Sequence, residues 1–330
     1  MRKLAFLSVA FALVAVSFYG CDERLSSEPD GEQLLAKRVN PGQQYEFVAK
    51  WGTYGTGVGQ FGYPRAVAVD KHSNLYVTDG GKKFIMKFTA DGTLLTKWGT
   101  YGSGDGQFNY PQTVAVDKHS NVYVTDRGWG TRRVQKFTSD GTFVTKWGNA
   151  GSGDGQFSYP HAVAVDKHNN VYVADRDHDR IQKFTSDGTF VTKWGNTGSG
   201  DGQFIASTGM AVDRHNNVYV TDWGNSRIQK FTSDGTFLAK WGNAGSGDGQ
   251  FSDPRAVAVD KHNNVYVADD GNHRVQKFTS DGTFLTKWGT YGAGDGQFDG
   301  PSGVAVDKHN NVYVTDWGNA RIQVFAPVKH

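Results

Sequence analysis

The stretch Ala162-Val163-Ala164-Val165-Asp166-Lys167-His168-Asn169-Asn170-Val171-Tyr172-Val173-Ala174-Asp175 decides the fold of this 330-residue chain. Its first five residues alternate small and β-branched side chains, as a strand packed closely on neighbouring backbones would. The polar group Lys167 to Asn170 is a turn cluster, and Val171 to Asp175 is a second strand of β-branched and aromatic residues. Beyond a polar loop, Ile181-Gln182-Lys183-Phe184-Thr185 reads as a third strand. Ser186-Asp187-Gly188 then gives a tight hairpin turn, with glycine available for positive φ. Phe190-Val191-Thr192-Lys193-Trp194 is the fourth strand, and a glycine-rich connector, Gly195 to Gln203, follows.

This unit is copied. Lys-Trp-Gly recurs at Trp51, Trp98, Trp147, Trp194, Trp241 and Trp288, in steps of 47, 49, 47, 47 and 47 residues. Ala-Val-Asp keeps the same steps, ending at Asp70, Asp117, Asp166, Asp213, Asp260 and Asp307. Two markers in register mean one supersecondary unit repeated six times, and four short antiparallel strands of this length make a propeller blade. The last copy ends with its third strand, Ile322 to Phe325, while a lone fourth strand, residues 46–51, precedes the first complete copy. Pairing the two closes a ring and leaves no inner edge unpaired. The expected fold is all-β: a six-bladed propeller of four-stranded antiparallel blades over residues 45–330, closed by the strand at 46–51.

The unit Pro-x-Ala/Gly-Val-Ala-Val-Asp, Asn-Val-Tyr-Val-Thr/Ala-Asp, Arg-Ile-Gln-Lys-Phe, Asp-Gly-Thr-Phe resembles the NHL repeat over residues 46 to 325. The resemblance implies a six-bladed propeller used mainly as a binding platform. Six-bladed relatives also include an amidating lyase and calcium-dependent lactonases, so the fold leaves activity open.

Composition narrows the field. The formal net charge of +2 argues against nucleic acid as a partner, and no Glu follows Glu46, so every later acid of the ring is Asp. Cys21 is the single cysteine, which excludes an intrachain disulfide. Arg2 and Lys3 precede an apolar run of 15 residues, Leu4 to Phe18, too short for a stable span and suited to an export signal. Ser17-Phe18-Tyr19-Gly20-Cys21 resembles a bacterial lipoprotein signal. Residues 1–20 are therefore expected to be a signal peptide, with Cys21 lipidated and residues 21–44 a polar tether. The protein would be exported and held in the cell envelope on the periplasmic or surface side; ordinary secretion is the alternative.

Most recurring residues read as architecture. His72, His119, His168, His215, His262 and His309 share one turn position, where they would lie apart around a rim. The Lys-Trp-Gly tryptophans and the second-strand tyrosines Tyr76 to Tyr313 are read as packing between blades. Asp222 and Arg227, with their counterparts, are read as bridging one hairpin, and Phe84 leaves Asp79 without that partner. Gly-Ser-Gly-Asp-Gly-Gln-Phe (Gly102 to Phe108) lacks the Lys-Ser/Thr of a phosphate loop and reads as a flexible connector between blades.

Function is sought where the copies differ. By the usual path of a blade, its top face carries the loops between blades and those between the second and third strands. The residue opening each inner strand is Arg65, Gln112, His161, Thr208, Arg255 and Ser302 in turn, and these should converge on the mouth of the central channel. The second loop set holds Arg127, Trp129 and Arg132 in blade two, where a two-residue insertion makes the 49-residue step. Arg176 and His178 fall in blade three, Trp223 in blade four, His273 in blade five and Trp317 in blade six. Tyr54, Tyr63, Tyr101, Tyr110, Tyr159 and Tyr291 add further aromatics between blades. Such aromatics beside Arg and Lys make a rim able to stack on sugars or grip anionic and peptide groups.

The leading expectation is a monomeric, non-enzymatic scaffold for a protein, peptide or carbohydrate ligand, touching the membrane only through its anchor and needing no cofactor. The alternative is a metal-dependent lyase or lactonase-like enzyme at the channel mouth, using zinc or calcium. His161, His178 and His273 are the candidate ligands for it, although only His161 opens an inner strand.

Overall fold

A computed structural model describes residues 44–328. The expected signal, Cys21 and nearly all of the expected tether lie outside those residues. Six four-stranded antiparallel sheets form the ring, each ordered inner, second, third and outer strand. Blade three shows the pattern, with strands Pro160–Val165, Val171–Asp175, Arg180–Phe184 and Phe190–Trp194. The only helices among the described residues are single 3-10 turns, such as Arg176–His178.

The sixth blade is closed by the start of the chain. Tyr45–Trp51 pairs antiparallel with Arg321–Pro327, from Tyr45 opposite Pro327 to Trp51 opposite Ile322. Sheet twist and alternation place Phe47 inward against Phe325, with ring centroids 6.2 Å apart at 77°. The same strand crosses to blade five, where Tyr45 stacks on Trp288 at 4.6 Å.

Contacts between blades repeat with the sequence. Each second-strand tyrosine is buried, and its hydroxyl donates to the Asp that ends the inner strand, as Tyr172 does to Asp166 at 3.0 Å. Asp166 Oδ1 also accepts the N–H groups of His168 and Asn170, so this carboxylate holds the turn below the blade. The six turn histidines contribute their backbone there and leave their rings exposed. Five of the six Lys-Trp-Gly tryptophans lie on the hairpin of the next blade, Tyr45 taking that place over Trp288: a Cβ added to Gly141 would stand 2.6 Å from Trp98. That closeness, with φ at +94°, requires glycine in the Asp-Gly turn.

The glycine-rich loops are ordered by hydrogen bonds rather than being flexible connectors. Arg133, buried in the third strand of blade two, donates to the carbonyls of Ser103 (2.6 Å), Gly104 (3.0 Å) and Gln107 (2.8 Å). Gln107 Oε1 accepts the N–H of Gly104, and Lys146 pairs with Asp105. The physical reason is that a tight glycine turn exposes carbonyls in a concave row, which a fork of N–H donors can satisfy together. Blade one departs from the scheme as a set. Val58 stands where the Asp would be, Phe84 where the Arg would be, and Met86 where the Gln would be. Lys97 there lies over the Phe84 ring at 4.8 Å instead of pairing with a loop Asp.

Candidate functional site

Between its ends the channel is lined by Ala, Val, Gly and Met of the inner strands, so its wall there is apolar. One cavity of roughly 340 Å³ runs along the inner strands, and Arg65, Gln112, His161, Thr208, Arg255 and Ser302 line its top end. Arg127, Arg176, Tyr159 and Trp223 reach the same cavity from the second loop set. The two sequence regions in which the blades differ most thus share one space.

Tyr110, Tyr159, Trp223 and Trp317 do not stand free on this face, whereas Tyr54, Tyr101 and Tyr291 are largely exposed. The first four alternate with arginines in an arc across the mouth. Arg65 lies 5.3 Å from the Trp317 ring and 5.7 Å from Tyr110. Arg127 is held between Tyr110 at 3.9 Å and Tyr159 at 4.4 Å. Arg176 lies 5.4 Å from both Tyr159 and Trp223. Five blades contribute to this arc of four rings and three guanidiniums, each contact a cation–π interaction. Tyr110 also accepts a hydrogen bond from Arg65 at 2.6 Å.

Size complementarity explains which blade supplies which ring. Blades two and three place Tyr110 and Tyr159 before the inner strand, with Arg127 and Arg176 opening the loop opposite. Blades four and six have Ala206 and Gly300 at the tyrosine position and Trp223 and Trp317 in the loop. A Cβ at Gly300 would fall 2.2 Å from Trp317 Nε1, so the large ring requires the small partner.

Inside the arc, a chain of hydrogen bonds fixes the polar groups. Arg127 Nε donates to Gln112 Oε1 at 2.8 Å, which directs the Gln112 amide toward His161 Nε2 at 3.1 Å. His161 Nδ1 in turn donates to the Thr208 carbonyl at 2.6 Å. The imidazole therefore carries its proton on Nδ1 and presents an acceptor at Nε2. Burial, and then the positive charge of Arg127, push its pKa down to about 3. Burial likewise lowers the pKa of Arg127, and neighbouring Arg65 and Arg176 push the same way.

Arg255 is the exception among the mouth arginines, since its Nε meets Asp270 Oδ2 at 2.7 Å. Among the described residues, no carboxylate oxygen lies within 4.0 Å of the guanidinium nitrogens of Arg65, Arg127 or Arg176.

The remaining sequence candidates are spread out. Trp129 is 91% exposed beside Arg132, 5.9 Å from its ring, and the two border a side pocket with Tyr110, Arg127 and Asp177. His178 is bonded to Asp175 at 2.7 Å, and His273 packs on Tyr291 at 4.8 Å. These two do not join His161, and among the described residues no three His, Cys, Asp or Glu side chains are grouped to hold a metal. Asp222 and Arg227 do bridge their hairpin, at 2.7 Å. Asp79, facing Phe84, instead accepts the N–H groups of Gly62, Tyr63, Gly81 and Lys82.

The NHL repeat family model matches residues 157–184, 208–231, 251–278 and 298–325, which fall in blades three to six. The chain carries NHL repeats. Blades one and two lie outside those matches and have the same four strands. No curated protein matches the chain. Among solved structures, a protein of unknown function from Bacteroides thetaiotaomicron aligns with a TM-score of 0.65 at 18% identity, covering 86% of this chain and 76% of that one. A virginiamycin B lyase from Staphylococcus aureus gives 0.60 at 10% identity, over 86% and 100% of the two chains. A gluconolactonase from Xanthomonas campestris gives 0.58 at 15% identity, over 82% and 87%. At these identities the likeness is one of fold.

Proposed function

We propose that the chain is a non-enzymatic recognition module, exported and anchored through Cys21, that binds a protein, peptide or glycan with the top face of its propeller. The observation that carries this reading is the placement of variation. A frame repeated almost residue for residue converges its non-repeated side chains on one cavity and its rim. Function concentrates on loops that a rigid scaffold positions. The basic residues Arg2 and Lys3, the apolar run after them and Gly20-Cys21 support export and lipidation.

Two experiments test it. The full chain is screened against cell-wall glycans, polysaccharides and envelope proteins, alongside Trp129→Ala and Arg132→Ala variants. Binding that survives both substitutions unchanged places the contact elsewhere. Metabolic labelling with a palmitate analogue tests the anchor, and label retained by Cys21→Ser rejects it.

A second reading, a metal-dependent lyase or lactonase at the mouth, draws on the fold shared with the virginiamycin B lyase and the gluconolactonase. One tightly bound zinc or calcium per purified chain would favour it.

A further inference from the structure

We propose that Arg65, Arg127 and Arg176 form an oxyanion-binding site at the channel mouth, for a ligand carrying two or more carboxylate or phosphate groups. The proposal deepens the recognition reading and rests on the top face being the binding face.

The charge arrangement is the first argument. Arg133, Arg180, Arg227, Arg274 and Arg321 each face the Asp of their own hairpin, and Arg255 faces Asp270. The three arc arginines have no such partner and converge on one cavity. Three like charges brought together on aromatic supports are costly without an anion, and the cost is recovered when one arrives.

Unused donors are the second argument. The Nε groups of Arg65 and Arg176 are shielded from solvent and have no hydrogen-bond partner. The ring faces take up the flat sides of the guanidiniums, Arg65 gives one terminal N–H to Tyr110 and Arg127 gives its Nε to Gln112, so the other terminal N–H groups are what remains for a ligand. Planar forks of this kind suit carboxylate and phosphate oxygens.

Preorganisation is the third. Stacking between Tyr110 and Tyr159 and the bond from Arg127 to Gln112 fix one guanidinium before any ligand binds, so little side-chain freedom is left to lose. The residues opening the inner strands are otherwise neutral apart from Arg255, and they form the polar end of an otherwise apolar channel cavity, where a compact anion or the charged end of a chain would meet the arc.

The test is calorimetric titration of the full chain with citrate and, separately, pyrophosphate. Saturable binding of one equivalent that weakens with added salt is expected for at least one probe. Citrate alone would identify carboxylates, pyrophosphate alone phosphates, and both recognition by charge. Arg65→Gln, Arg127→Gln and Arg176→Gln should each weaken binding about tenfold or more, while Arg214→Gln, in the exposed turn at the other end of blade four, should change it less than about twofold. Arg176→Lys, which keeps the charge and loses the fork, guards against misfolding and should bind with intermediate affinity. The site is overturned if neither probe saturates, if the triple Gln variant binds as tightly as the parent, or if Arg214→Gln loses as much as the arc variants. Should the anions fail to bind while Trp129→Ala abolishes binding of a partner from the screen, the anion site falls and the top-face reading stands.

Discussion

Replacing Arg227 by Phe, the residue type that blade one carries at the corresponding position, isolates what orders the glycine-rich loops. Arg227 is 5% exposed and makes an ion pair with Asp222 at 2.7 Å. It also donates to the carbonyls of Ser199 (2.6 Å), Gly200 (2.8 Å) and Gln203 (2.8 Å). Breaking a buried pair from one side costs about 3–5 kcal/mol, because the other charge is left behind. Asp222 keeps donors from Ile205 N–H at 2.8 Å, Asn225 at 2.9 Å and Gln229 at 3.2 Å. That residual solvation points to the low end, about 3 kcal/mol for the pair and the stranded carbonyls together. Urea unfolding followed by tryptophan fluorescence reads this directly, and a fall in Tm of about 6 °C or more should accompany it. Arg227→Lys should lose about half as much, since it keeps the charge without the fork. Adding Asp222→Asn to Arg227→Phe should recover part of the loss, as the uncompensated carboxylate is removed. A loss below about 1 kcal/mol for Arg227→Phe would refute the assignment of loop order to this side chain.

Three further outcomes follow from the same structure. His161, with its pKa pushed down to about 3, is neutral in the fold, whereas the unfolded chain protonates it near the ordinary value. Stability should therefore fall as pH drops below about 6.5 and stop falling on this account near pH 3, and His161→Gln should flatten that part of the urea-midpoint profile. Introducing Asp, Arg and Gln at Val58, Phe84 and Met86 restores the set found in the other blades. The triple variant should gain about 1–2 kcal/mol in urea unfolding, and a loss would show that blade one packs its apolar set to better effect. Deleting Tyr45–Trp51 leaves Arg321–Pro327 as an open edge. The truncated chain should unfold at a lower midpoint or associate through that edge on size exclusion, whereas a monomer of unchanged midpoint would refute closure by this strand.

The ring was legible because the sequence states one solution six times, and even the seam showed as a strand displaced to the front of the chain. The loops were misread because their order comes from Arg133 and Gln135, whose side chains return to a segment 26–30 residues earlier in the chain. Composition alone makes such a segment look mobile. The mouth was half legible. The residues opening the inner strands were assigned to one rim from the blade path, and the structure gathers them there. What sequence reasoning missed was that Tyr110, Tyr159, Trp223 and Trp317 support arginines rather than stand free for a ligand. A signal existed: tyrosine before the inner strand accompanies arginine in the loop in blades two and three, and a small residue accompanies tryptophan in blades four and six. Reading it requires knowing that these positions face each other, which the one-dimensional spacing of 17 residues conceals.

The seam has a consequence for synthesis. Tyr45–Trp51 leaves the ribosome before every other described strand and its partner, Arg321–Pro327, after them, so this pair can form only once all the other described strands have been made. Until then Phe47 and Trp51 lie on an unsatisfied strand that any passing edge can capture. If the chain crosses a membrane before it folds, that hazard is carried through the whole of export. The ring would then be completed only when its final residues arrive on the far side.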